Sequence, residues 1–211
     1  MTSTLRAKSA IGLFLVALLG CQSASPPRSF VLVAWPPAET LPGDPADGPA
    51  LVVDPITLPD YLDRSQIVTR QNPVQLSFVP AARWGADLAE NTTRVLTENL
   101  ATRLPSFRVE SLRSASPRDG LRLRVEVQAF EVRADGAVHL EARWSLRRAD
   151  SREASLQRRA SIRVAVAGEG ANAKVSAMSQ AVAELADSIA AAIRPEDGAH
   201  HDTRAKAGGR S

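Results

Sequence analysis

The sequence predicts an α+β fold: a two-layer sandwich of a mostly antiparallel sheet with two amphipathic helices on one face. Two patterns carry that expectation. From residue 121 to 146 apolar and polar residues alternate, the period of a strand with one buried face. In two other stretches, ending at Leu104 and Ile193, apolar residues recur every three or four positions, which places them on one side of a helix. Strands, helix, strands, helix is the order along the chain. Helices grouped on one face of an antiparallel sheet satisfy it with a single core.

The chain of 211 residues opens with Arg6 and Lys8 ahead of an apolar run, residues 10–19 (AIGLFLVALL). That run is too short to span a bilayer, which takes about 20 residues, and has the character of the apolar core of a secretory signal. It ends in Leu18-Leu19-Gly20-Cys21, which resembles the bacterial lipobox, and Cys21 is the only cysteine present. The expectation is a lipoprotein signal peptide over residues 1–20, cleavage before Cys21, and covalent lipid on Cys21. Residues 21–28 then form a polar linker. Each buried acyl CH₂ contributes about 0.8 kcal/mol, so several chains anchor stably where one does not. Gln22 stands where an Asp would signal retention in the inner membrane. The expected location is therefore the periplasmic face of the outer membrane.

The folded domain is expected over residues 29–194. Residues 29–35 (SFVLVAW) suggest a buried strand, and the proline-rich stretch 36–49 an exposed loop. Residues 51–58 suggest a second strand, with Pro55 pointing to an edge or a bulge. Residues 66–70 and 74–79 bracket Asn72-Pro73 as a hairpin would. Trp84, Leu88, Thr92, Val95, Leu96, Leu100 and Leu104 mark the first helix, stopped by Pro105. Three strands follow. The first carries a bulge where Phe130 and Val132 fall out of phase, the second begins after the Asp135-Gly136 turn, and the third covers 156–166. Val175, Met178, Val182, Leu185, Ile189 and Ile193 mark the second helix, ended by Pro195. Residues 195–211 lack apolar periodicity and are expected to be a disordered tail.

Composition excludes several function classes. The formal charge is only +3, and two of those charges, Arg6 and Lys8, leave with the signal. Basic residues are interspersed with Asp and Glu along the chain rather than clustered, so no nucleic-acid footprint is predicted. There is no CxxC or HExxH spacing, hence no expected metal site. No nucleophile–base set stands out. His139, on the polar side of a strand, is expected to be solvated, and His200-His201 fall in the tail. Gly168-Glu169-Gly170 is too short for a phosphate loop. The chain is expected to be no enzyme and to need no cofactor beyond the lipid on Cys21.

One segment is unusual for a loop: Leu58-Pro59-Asp60-Tyr61-Leu62-Asp63-Arg64-Ser65-Gln66-Ile67-Val68-Thr69-Arg70, followed by Arg83-Trp84 and a helix containing Val95-Leu96 and Asn99-Leu100. This pattern resembles the ABC-type transport auxiliary lipoprotein family, the PqiC/YmbA-like membrane-integrity transporter subunits, over roughly residues 29–194. The resemblance implies an auxiliary lipoprotein that docks the MCE-domain protein of a lipid transporter working between the inner and outer membranes. It also implies attachment to the membrane by the lipid anchor, and a homo-oligomer is compatible with it. Tyr61, Leu62, Arg64, Ile67, Arg70, Arg83 and Trp84 are the candidate partner-binding residues. The arginines could equally brace the loop against Asp60, Asp63 or Asp87, and the aromatics could equally be core. A lipid carrier or envelope assembly factor is the alternative function. The many alanines of the second helix favour close packing over a lipid cavity.

Overall fold

In the computed structural model, residues 26–35, 48–112, 120–151 and 154–193 are described. The expected signal, Cys21, most of the proline-rich loop and the tail lie outside them. Among the described residues eight strands form one sheet: β1 (Arg28–Phe30), β2 (Ala50–Val53), β3 (Gln66–Asn72), β4 (Gln75–Trp84), β5 (Arg108–Ser111), β6 (Leu121–Arg133), β7 (Ala137–Arg148) and β8 (Leu156–Ala165). Two helices among the described residues, α1 (Leu88–Arg103) and α2 (Gly170–Ile193), pack on each other and against one face of it. The fold is the expected α+β sandwich, but its sheet is mixed.

The sheet is organised by β6. One edge pairs along its whole length with β7, antiparallel, and β7 pairs in turn with β8. The other edge carries two short parallel partners, β2 at its start (Leu51↔Leu121) and β3 at its end (Thr69↔Val132). Between them the chain keeps tracking β6: Thr57 N donates to Val125 O, and Val127 N donates back to Thr57 O. Beyond β2 lies β5, and beyond β3 lie β4 and then β1. Alternation aims Leu123, Val125, Val127, Phe130 and Val132 of β6, with their β7 partners Leu146, Trp144, Ala142, Leu140 and Val138, toward the helices. The bulge falls between Val127 and Ala129, where the apolar pattern changes phase.

Several expectations need correction. β2 is not an edge strand, because β5 and β6 flank it; it ends at Val53, before Pro55 removes a donor. Trp84 does not open the helix. It closes β4, its N–H donating to Ser65 O, and Asp87 caps α1 by accepting from Glu90 N at 2.8 Å. β5 was not anticipated, since four residues are too few to display a period. Of residues 29–35, only Ser29 and Phe30 lie in β1. Val31–Trp35 leaves the sheet and crosses the helices, with Leu32 buried and Val31 and Val33 exposed. This strap is fixed by side chains: Val33 N donates to Ser179 Oγ, Trp35 N to Asn99 Oδ1, and Arg94 to Leu32 O.

β4 is the irregular strand. Gln66 pairs with Arg83 while Val68 pairs with Phe78, so Val79–Ala82 bulges out of register. Pro80 has no N–H to leave unpaired there, and Ala81 adopts φ 50°, a left-handed conformation that costs a residue with a Cβ about 1–2 kcal/mol.

Candidate functional site

The Leu58–Arg70 segment folds as a 3-10 turn over Asp60–Leu62 running into β3. Leu62 and Ile67 are buried in the core and anchor the two halves of the segment, while Trp84 packs in the same core from the end of β4. These three of the seven candidate residues are therefore packing residues by position.

Tyr61 and Arg70 converge on Glu131, a fully buried carboxylate on the side of β6 turned away from the helices. The Tyr61 hydroxyl donates to Oε2 at 2.6 Å, and Arg70 Nε donates to Oε1 at 2.8 Å. The Arg70 guanidinium also lies over the Tyr61 ring, 5.4 Å from its centroid. Arg133 reaches the same Oε1 at 3.4 Å and pairs with Glu141 at 2.9 Å. Burial alone would push the Glu131 carboxyl up. The hydrogen bonds from Tyr61 and Arg70, with the charges of Arg70 and Arg133, outweigh it and hold the group below its ordinary value. Burial and the Glu131 carboxylate push the Tyr61 phenol up to about 12. Arg70 does brace the loop, but its acid is Glu131 rather than Asp60, Asp63 or Asp87.

The network continues to the β6–β7 turn. His139 is not simply solvated: its Nε2 lies 2.9 Å from Asp135 Oδ2, and Arg163 reaches the same oxygen at 3.0 Å. Hydrogen bonding by His139, then by the Ala137 N–H and Arg163, holds the Asp135 carboxyl down at about 2. At this end of the sheet face Arg70, Arg133 and Arg163 each have a carboxylate.

Arg64 and Arg83 stand outside this network. Both are exposed and form no ion pair among the described residues. Arg64 lies over the Phe78 ring at 5.5 Å, and Phe78 itself is 43% exposed. Arg83 stands opposite Gln66, two residues along from Arg64. The seven candidates thus split into a core set, a buried polar set and an outward-facing pair, and Phe78 joins that pair although the sequence reading passed over it.

A separate groove of about 680 Å³ lies between α1, β5 and the strap. Val31, Ile56, Ala89, Val109 and Leu112 give it an apolar lining. Among the described residues no group of His, Cys, Asp or Glu is placed to hold a metal. No described helix is long and apolar enough to cross a membrane.

Comparison with known proteins bears on this arrangement. Residues 30–190 match the family described as the ABC-type transport auxiliary lipoprotein component. The intermembrane transport lipoprotein PqiC of Escherichia coli is 32% identical over 96 residues, 46% of this chain and 50% of that protein, and its Shigella flexneri counterpart matches equally. The matched region thus spans half the length of these curated relatives. Among solved structures, an uncharacterized protein superposes with a TM-score of 0.63 at 25% identity, covering 69% of this chain and 92% of that one. Protein XCC0632 from Xanthomonas campestris superposes with a TM-score of 0.59 at 15% identity, covering 82% and 97%; at that identity the likeness is one of fold.

Proposed function

From this chain's membership of the ABC-type transport auxiliary lipoprotein family, matched over residues 30–190, we propose that it is the docking lipoprotein of an MCE-type lipid transport system. The family is one of auxiliary transport lipoproteins of the cell envelope and not of enzymes. In the reading advanced here, lipid on Cys21 holds the chain on the periplasmic face of the outer membrane. The folded domain then receives the MCE-domain protein that conducts lipid from the inner membrane. The PqiC relatives, named as intermembrane transport lipoproteins, support the direction of this reading.

The division within the motif segment carries the residue assignment. Tyr61 and Arg70 are bound to Glu131, so their polar groups are already engaged within the fold. Arg64 and Arg83 are exposed, Arg64 lies over the exposed Phe78 ring, and an arginine next to an exposed aromatic is the kind of pair enriched at interfaces. The test is capture of a purified MCE-domain protein from the same organism, with a melting curve for each variant. Arg64→Ala is expected to weaken capture at least about fivefold while altering stability by no more than about 0.5 kcal/mol. Arg70→Ala is expected to destabilise by about 2–4 kcal/mol, because it leaves the buried Glu131 without its closest cation. Failure of the unaltered chain to capture the MCE-domain protein would sink the docking reading.

The groove beside α1 favours a second reading, a carrier that holds a lipid itself. Its volume of about 680 Å³ falls within the range of small-molecule sites, and its lining is mostly apolar. Mass spectrometry of lipids co-purifying with the intact chain, with and without Ala89→Trp to fill the groove, separates the two readings.

A further inference from the structure

The outer face of β6, β7 and β8 has two ends with opposite charge arrangements. At the β6–β7 turn, Arg70 and Arg133 share Glu131, Arg133 also takes Glu141, and Arg163 takes Asp135. At the other end Arg124, Arg143 and Arg159 are exposed and have no carboxylate partner among the described residues. Glu126 is the acid nearest them in register, opposite Arg143, yet it makes no ion pair with any of the three.

Register sharpens the contrast. Arg143 stands directly opposite Arg159 across β7 and β8, and Arg122 directly opposite Arg147 across β6 and β7. Like charges directly opposite on a sheet face are destabilising. Asp54 relieves Arg122, at 2.8 Å, but nothing comparable relieves Arg143 and Arg159. Glu126 stands among these arginines without pairing to them, whereas at the other end of the same strands Arg133 and Arg163 are each ion-paired. Arg124, Arg143 and Arg159 border a trough of about 570 Å³, with Arg158 adding a fourth guanidinium, Glu126 one carboxylate, and Ser145 and Gln157 the neutral polar lining.

We propose that this trough is the seat of an acidic segment of the chain's protein partner, its carboxylates paired one by one with Arg124, Arg143 and Arg159. The identity of the partner rests on the transporter reading above; the chemistry of the seat does not. A guanidinium presents a planar fork that matches a carboxylate with two parallel hydrogen bonds. Two observations favour a protein segment over a membrane surface. A trough admits a protruding chain, whereas a plane of headgroups meets only its rim. Further, Arg28, where the seven-residue tether from Cys21 joins the fold, borders the same hollow as Arg133. Arg124 lies nine residues back along β6 from Arg133, roughly 30 Å. A membrane held close to Arg28 therefore meets the charge-balanced end of the face first.

The test uses the full lipidated chain in detergent and a purified MCE-domain protein from the same organism. A variant combining Arg124→Gln, Arg143→Gln and Arg159→Gln is expected to bind at least about tenfold more weakly, with most of the salt dependence of binding lost. It is expected to melt at or above the unaltered chain, because the opposed like charges are gone. Equal binding by the two chains at matched salt overturns the seat and leaves the transporter reading standing. No binding by the unaltered chain overturns the transporter reading and this partner with it. A parallel arm uses vesicles with about one third phosphatidylglycerol and the chain carrying Cys21→Ser. Vesicle binding that the triple substitution abolishes, with MCE binding unchanged, assigns the arginines to lipid and overturns the proposal.

Discussion

Glu131 decides what Tyr61 and Arg70 do. Tyr61 is the only tyrosine in the chain, so its ionisation can be followed directly by ultraviolet absorbance. Its phenol titrates at about 12 in the fold against 10.0 unperturbed. Folding thus favours the protonated phenol: the stabilisation is complete below about pH 10 and is lost as pH rises through about 12. Tyrosinate absorbance is expected to appear with a midpoint near 12 in the native chain and near 10 in denaturant. Native titration near 10 would mean that the contact with Glu131 is not made in solution. The sequence showed that Tyr61 and Arg70 were unusual but not what they meet. Their partner lies 61 residues beyond Arg70, and local spacing cannot reveal such a pair. The available signal was the phase change after Val127, which turns Phe130 and Val132 inward and leaves Glu131 between them on the other face.

At the scale of elements, long periodic segments were legible and short or irregular ones were not. β6, β7, β8 and α2 display their period over ten residues or more. β1 and β5, of three and four residues, pair because of where neighbouring strands lead them, which no window of sequence records. Trp84 fitted the helical spacing by coincidence, and the Gly85-Ala86-Asp87 run between it and Leu88 was the overlooked boundary, with Asp87 as cap. The parallel pairings of β6 were also invisible, because alternation is the same in parallel and antiparallel strands. Gly120 shows how closely β6 must approach β2. Its φ is 124°, and an added Cβ would overlap the carbonyl oxygen of Ala50. Gly120→Ala is expected to destabilise by about 2–4 kcal/mol, read from chemical denaturation. A loss under about 0.5 kcal/mol would show that the junction yields easily.

For the molecule as a whole, the decisive expectation is attachment. Replacing Cys21 with serine is expected to abolish incorporation of labelled fatty acid and release the domain from the membrane fraction, with its melting temperature unchanged. Equal labelling of the Cys21→Ser chain would end the lipoprotein assignment for this residue. The unchanged melting temperature follows because Cys21 lies seven residues before the first strand.

That first strand settles how the domain answers a mechanical pull. β1 runs parallel to β4, so tension applied from a membrane-bound N-terminus acts lengthwise along the pair. The β1–β4 hydrogen bonds are then loaded together in shear rather than peeled one after another. Immediately beyond, Leu32, Val33 and Trp35 are tied to α1 and α2 through Arg94, Ser179 and Asn99. The load passes from the sheet edge into the helical layer within a few residues. A partner tugging on an anchored chain would therefore strain both layers at once.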